Sequence, residues 1–437
     1  MGRLGTPATA DAGVDFAARM EKVQELTRSL VLHRDEVIAT AATDIGFTVR
    51  DSTREVDNTI ERLPAFAEAV GLLSGRRPIA RAEQTVGLLL PYDGSSWLNI
   101  AIVSIWLVGN HVRVKFSSKT SRVARLSAEI YRPIFGDDIQ FDYRPGKEFL
   151  DWAIDSPEVA AIVIFGSDRH ILPYQDRVRE EGRKLVFEGP GNDPFIVLDG
   201  ADLEQTVAAL VDAKFVNSGQ TCTAPERVFV QAGIHDRFLE ALVDRMLSAR
   251  VGDPMDPSTQ VAPLASDLAV DNVQAQLADA AAKGGRILCG GRVQGRLVTP
   301  TVVAGATLKM LGMRREIFGP VAFVARFERP AEALAMARDN LYGLRAEVWG
   351  EPEAAARVGD ELVGKPYLEE VPDFVFGRFG TVSVNQPRSA SWRRAFITRP
   401  VGGYGYSGWV WESGDGELVL KQGPKLLSLE TSVPARD

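Results

Sequence analysis

Residues 160–165, Ala-Ala-Ile-Val-Ile-Phe, form an unbroken apolar run that stops at Gly166-Ser167. A run this short and this apolar, ended by a glycine, suits a strand buried on both faces of a parallel sheet. Parallel neighbours need crossover connections, usually helices. The first half of the chain supplies both kinds of element. Residues 85–90, 112–116, 184–187 and 195–198 read as strands. Residues 16–42, 55–73, 100–108, 121–131 and a segment from about 171 read as helices. The second half repeats the style, with strands at 228–230, 287–288, 321–327 and 382–384. Between them lie helices that reach 250 and span 269–283 and 331–340. This alternation predicts an α/β protein with two doubly wound, Rossmann-like domains. A chain of 437 residues is also too long for one ordinary core.

The last residues, 425–433, alternate leucine with polar side chains and read as a terminal strand that needs a partner edge. An unpaired edge is a liability, so pairing with another subunit is expected. Segments 77–90 and 416–437 are accordingly read as a small β oligomerisation element, giving a homodimer or homotetramer.

Bulk properties narrow the function. Net charge is −8 with no long basic run, which argues against nucleic acid or an anionic membrane as partner. Two cysteines, Cys222 and Cys289, make no disulfide framework. The histidines His33, His111, His170 and His235 are scattered, which argues against a zinc site. The N-terminal residues contain no apolar signal region, and the longest apolar stretch, 100–108, is too short to span a bilayer. A cytoplasmic location is expected.

The segment Phe215-Val-Asn-Ser-Gly-Gln-Thr-Cys222 carries the chemistry. A cysteine after a Gly-Gln turn is a candidate nucleophile, whereas Cys289, between a strand and a glycine pair, reads as structural. Glu188 follows the apolar strand Leu185-Val-Phe187. A thiol and a carboxylate are the two groups needed to form a thioester and then hydrolyse it.

Further motifs extend the pattern. They are Gly109-Asn-His-Val-Arg-Val-Lys115, Ile164-Phe-Gly-Ser167, Glu188-Gly-Pro-Gly-Asn-Asp-Pro194, Glu316-Ile-Phe-Gly-Pro320 and Pro400-Val-Gly-Gly-Tyr404 through Ser407-Gly408. Together with the cysteine segment they resemble, in order, the motifs of the aldehyde dehydrogenase superfamily, in an N-terminally shortened form. The resemblance implies NAD(P)-dependent oxidation of a small-molecule aldehyde to a carboxylic acid. Cys222 would attack the carbonyl, hydride would leave for the nicotinamide, and Glu188 would activate water against the thioester. Lys115 would bind the adenosine ribose, and Gly166 and Ser167 would face the pyrophosphate. Glu316 would hold the nicotinamide ribose, and Phe318 would pack near its ring. The resemblance divides the chain into a cofactor-binding domain (1–76 and 91–189), a catalytic domain (190–390) and a C-terminal loop (391–415) that closes the active site.

Cofactor choice turns on Ser118, where NAD-preferring members often carry an acidic residue. Ser118 with Lys115 and Lys119 accommodates a 2′-phosphate, so NADP is favoured over NAD.

Three segments depart from the family pattern. Asp93, in Pro91-Tyr-Asp-Gly-Ser95, falls where the family has its oxyanion-hole asparagine. An ionised carboxylate would repel an oxyanion; a protonated one could donate to it. Gly-Pro-Gly-Asn stands where the glutamate motif usually reads Leu-Gly-Gly-Lys. Arg388-Ser-Ala-Ser-Trp-Arg-Arg394 falls at the substrate entrance, where arginines could bind an anionic group. Two alternatives stay open: an acylating or reductive member acting on an acyl thioester, and a low-activity cofactor-binding homologue.

Overall fold

In the computed structural model, the described residues are 14–73, 75–78, 85–94, 99–362, 365–368, 371–376, 378–388, 402–414, 417–422 and 427–434. Phe16–Leu32 starts as a helix because the Asp15 side chain accepts the Ala18 N–H at 3.0 Å. It buries Met20, Val23, Leu26 and Leu30, one face at helical spacing. The single helix expected over 16–42 is interrupted at His33, after which Arg34–Ile45 begins anew and ends at the left-handed Gly46. Thr48 then caps Val49–Arg62, the helix that carries Asp51 and Glu55.

The first sheet runs Glu417–Gln422, Gly408–Gly414, Lys184–Glu188, Val159–Phe165, Thr85–Leu89, His111–Lys115, Ile139–Phe141. Its last five strands are parallel; the Gly408–Gly414 strand is antiparallel to Lys184–Glu188 and to Glu417–Gln422. Chain direction across the sheet reverses between Thr85–Leu89 and Val159–Phe165, so a crevice opens beyond the carboxyl ends of these two strands. The second sheet runs Thr381–Val384, Arg345–Trp349, Asp193–Val197, Pro225–Gln231, Val321–Phe327, Thr301–Ala304, Arg286–Cys289, and only the last strand is antiparallel. The two doubly wound sheets agree with the alternation read from the sequence.

The β element expected over 77–90 and 416–437 is revised. Thr85–Leu89 lies in the middle of the first sheet. Val86 and Leu88 are fully buried, and Gly87 faces Ala153 so closely that a Cβ would sit 3.4 Å from it. A strand covered on both faces belongs inside a parallel sheet. The last strand, Ser432–Pro434, finds its partner within the same chain, pairing antiparallel with Arg76–Pro78. Residues 79–84, 416, 423–426 and 435–437 of that element lie outside the described residues. Among the described residues, no helix is long and apolar enough to cross a membrane.

Candidate active site

Cys222 follows an unusual turn. Asn217 and Ser218 have φ of 52° and 58°, a region that non-glycine residues visit rarely and only when their surroundings impose it. Those surroundings are explicit. The Asn217 N–H donates to the Asp51 carboxylate at 3.0 Å, and its side-chain amide donates to Glu55 at 2.8 Å. Ser218 Oγ accepts the Ala262 N–H at 2.8 Å, and Gln220 Oε1 accepts the Ala265 N–H at 2.9 Å. Gly219 comes so close to the next loop that a Cβ would lie 2.2 Å from the Gly319 carbonyl oxygen. Glycine is therefore required there. The approach brings the cysteine turn against the Glu316–Pro320 segment.

Asp93 leaves the Thr85–Leu89 strand and meets this turn. The backbone N–H of Cys222 favours the charged form of the Asp93 carboxylate. Burial first, then the Glu55 charge, pushes Asp93 up to about 7. The Cys222 thiol is itself pushed well up by burial, and then by Asp93 and Glu316. Arg388 opposes that shift. It is buried, donates to Thr221 Oγ1 at 3.1 Å, and has its own pKa lowered to about 10, mainly by burial. The resting site thus holds the cysteine as a neutral thiol, and protonation of Asp93 removes one of the charges that keep it so.

Glu188 ends the Lys184–Glu188 strand and is buried. Its carboxylate packs against Gly402, where φ is +72° and a Cβ would fall 2.2 Å from Oε2. After Glu188 the chain turns through Gly189-Pro190-Gly191. A Cβ on Gly191 would meet the Cys222 carbonyl oxygen at 2.2 Å, so the base turn and the cysteine turn touch through their backbones. Ser407 clamps the turn from the C-terminal side, with Oγ donating to the Pro190 carbonyl at 2.6 Å and accepting the Gly343 N–H at 3.0 Å. Residues 402–408 of the expected C-terminal loop do lie on the glutamate turn, and 408–414 continue as a sheet strand. Ser95, residues 389–401 and 415 lie outside the described residues, including all but the first residue of the arginine segment 388–394.

The candidate cofactor residues gather at the carboxyl ends of the adjacent parallel strands. Leu89 pairs with Lys115 on one side and Ile164 on the other, and Phe165 pairs with Glu188. Lys115 is buried and its ammonium donates to the Phe116 carbonyl, with burial lowering its pKa. Ser118 and Lys119 are exposed just beyond it. Lys119 Nζ lies 5.7 Å from the centroid of Tyr92, whose ring stands edge-on to Phe318 at 5.9 Å. No atom comes within 4 Å of where a Cβ on Gly166 would sit, so the strand end is open there, a cradle suited to a ligand. Ser167 precedes a helical turn, Asp168–Ile171, and the helix expected from about 171 follows through Leu172–Tyr174 to Gln175–Glu180. Asp168 stands in the first turn, so an anion here would meet an acidic first turn. Glu316 Oε1 accepts the Gly191 N–H at 3.3 Å, and burial, then Glu226 and Asp93, raises its pKa strongly. These residues fit a dinucleotide laid across the strand ends.

Sequence reasoning missed four residues of the site. Asp51 and Glu55 stand four apart on one helix face, a spacing that could have marked them. Lys214 interrupts the apolar helix Leu203–Phe215, and Glu226 follows Cys222 by one helical-turn spacing although it lies on a strand.

A family model described as the aldehyde dehydrogenase family matches residues 9–419. The chain belongs to this family. A succinate-semialdehyde dehydrogenase [NADP(+)] of Mycobacterium ulcerans is 29% identical over 386 residues, covering 83% of this chain and 84% of that protein. Among solved structures, succinic semialdehyde dehydrogenase from Streptococcus pyogenes in complex with NADP+ has a TM-score of 0.81 at 23% identity, covering 96% of this chain and 89% of that one. Betaine aldehyde dehydrogenase from Staphylococcus aureus in complex with NAD+ has a TM-score of 0.78 at 24% identity, covering 94% and 83%. The chain is an NAD(P)-dependent oxidoreductase acting on an aldehyde.

Proposed function

We propose that this aldehyde dehydrogenase oxidises an aldehyde that carries a carboxylate, of the succinic semialdehyde kind, with Cys222 as nucleophile and Glu188 as base. The observation that carries the reading is the meeting of three loops: Gly219 of the cysteine turn against Gly319, and Gly191 of the glutamate turn against the Cys222 carbonyl. The buried Arg388 guanidinium beside Cys222 supports an anionic substrate, as do the semialdehyde dehydrogenases among the relatives.

Cys222 releases its thiol proton to water and attacks the carbonyl carbon, and the carbonyl oxygen takes up the negative charge. Its donors are the Cys222 backbone N–H and a protonated Asp93. An ionised Asp93 cannot donate, which leaves the Cys222 N–H as the remaining donor. When bound, the nicotinamide supplies the hydride acceptor. Glu188 then draws a proton from water for attack on the thioester, and Cys222 leaves as the acid is released. Lys115, Ser118, Lys119, Gly166, Ser167, Glu316 and Phe318 are the residues proposed to hold the cofactor.

NADP is the favoured cofactor because Ser118 and Lys119 are exposed beside Lys115, with no carboxylate among these three to repel a 2′-phosphate. Self-association into a homodimer or homotetramer is proposed through the edge strand Glu417–Gln422, where Leu420 is 51% exposed. The two unpaired cysteines accord with a reducing, cytoplasmic setting.

The test is kcat/KM for succinic semialdehyde and for butanal, each with NADP and with NAD, without coenzyme A. The reading expects acid release, preference for the charged aldehyde and preference for NADP. Turnover only with added coenzyme A would favour the acylating alternative, and equal use of the two aldehydes would remove the carboxylate.

A further inference from the structure

The Glu316–Phe318 segment is held in a conformation it would not adopt unaided. Phe318 has φ of 56°, in the left-handed region, which strains a bulky residue. Such a conformation persists only when the surroundings over-determine it. One buried side chain does most of that. Glu226 Oε1 accepts both the Ile317 N–H at 2.8 Å and the Phe318 N–H at 3.0 Å. Its other oxygen accepts from Asn192 Nδ2 at 2.8 Å. Asn192 belongs to the glutamate motif, and its amide also reaches the carbonyls of Gly312 and Arg315, each at 3.1 Å. Asn272 donates to the Ile317 carbonyl at 2.8 Å, and Gln276 to the Glu316 carbonyl at 2.9 Å. Glu226 therefore ties the glutamate turn to the loop that carries both nicotinamide-side residues, from a strand that begins three residues after Cys222.

A carboxylate buried this completely needs a counter-charge. Lys214 provides it. The lysine is fully buried in the helix that leads into the cysteine turn, and its Nζ has no hydrogen-bond partner among the described residues. The charges it feels most strongly are Glu226, Glu316 and Asp193. The family pattern places a lysine at the end of the glutamate motif, where this chain has Asn192. Here the positive charge enters from the Leu203–Phe215 helix instead, and Asn192 is left to act as a donor.

We infer that Glu226 is a positioning residue for the cofactor: with Lys214 as its buried counter-charge, its carboxylate sets the backbone of Ile317 and Phe318 and so fixes where Glu316 and Phe318 meet the nicotinamide ribose and ring. The inference rests on the reading of Glu316 and Phe318 as cofactor residues. It requires that Glu226 act through those two residues and not on the aldehyde.

The experiment compares Glu226→Gln, the double variant Lys214→Met/Glu226→Gln, Glu316→Gln and Phe318→Leu with wild type. NADP+ affinity is measured by quenching of tryptophan fluorescence, the fold by thermal melting, and the aldehyde KM by steady-state kinetics at saturating NADP+. A glutamine keeps one acceptor but turns donors toward Asn192, so loss of the charge-assisted bonds weakens NADP+ binding about tenfold. The double variant replaces both buried charges by neutral groups, which keeps the fold, and it shows the same weakening. The aldehyde KM stays unchanged, and Glu226→Gln adds nothing in a Phe318→Leu/Glu316→Gln background. A folded double variant with wild-type NADP+ affinity, while Glu316→Gln has lost affinity, overturns the inference and leaves the reading of Glu316 intact. Wild-type affinity in Glu316→Gln and Phe318→Leu removes that reading and the inference with it. Aldehyde KM and NADP+ affinity changing together, in step with the melting temperature, would mark Glu226 as merely structural and also overturn it.

Discussion

The cofactor side and the nucleophile side of this site hold buried charge in opposite ways. Around Glu316 and Phe318, the oxygens of Glu226 are filled by named donors, and Lys214 stands as counter-charge. Around Cys222, Asp51, Glu55 and Asp93 crowd one turn; Arg50 pairs with Asp51 at 3.0 Å and Arg388 lies beside Cys222, and Glu55 and Asp93 are each pushed up to about 7. Burial is the largest cause on both sides. The difference is that Glu226 on the first side has both oxygens filled by donors, although burial brings its cation Lys214 down to about 8, while on the second side two carboxylates, Glu55 and Asp93, are raised to about 7. A hydrogen-bonded segment proposed to hold the cofactor thus faces a proposed nucleophile flanked by carboxylates that titrate near neutral pH.

The largest expected effect lies on the nucleophile side. Cys222→Ala removes the covalent route, and kcat falls on the order of 10⁴–10⁶-fold while NADP+ affinity holds, read by steady-state assay and fluorescence titration. Retained turnover would erase the contrast between the two sides. Glu188→Gln comes next. Its loss slows thioester hydrolysis about 10²–10⁴-fold. Rapid mixing should show a burst of NADPH close to one per active site before the slow phase. A smaller effect sharpens the account of the cation. Arg388→Met should lower kcat/KM for succinic semialdehyde about tenfold relative to butanal. An equal fall for both aldehydes would assign Arg388 to the cysteine alone.

Much of this was legible in the chain, and the boundary of legibility is physical. The Asn217–Cys222 and Glu316–Pro320 turns are read from sequence because their residues resemble family motifs, whereas their left-handed conformations are imposed by partners far away in the chain. Strand pairing is not local. Nothing within residues 85–89 says that they lie between Val159–Phe165 and His111–Lys115, so the segment 77–90 reads as an oligomer edge. The same holds for charge. Asp51 and Glu55 look like solvated helix residues until the helix docks on the Asn217 amide, and Lys214 looks like a helix end until folding buries it completely. Asp93 was visible as a departure, but the burial and the Glu55 charge that raise its pKa arise only when the chain folds.

The most direct test is the pH dependence of kcat/KM for Asp93→Asn against wild type. Asp93 is protonated below about 7 and can donate to the oxyanion; above that it is ionised, cannot donate and raises the thiol pKa. An asparagine donates at every pH. The variant should therefore match wild type below about pH 6 and exceed it by roughly 10²-fold above about pH 8, because one restored oxyanion donor is worth about that much. A variant slower than wild type across the whole range would contradict the account and give the Asp93 carboxylate a catalytic task of its own.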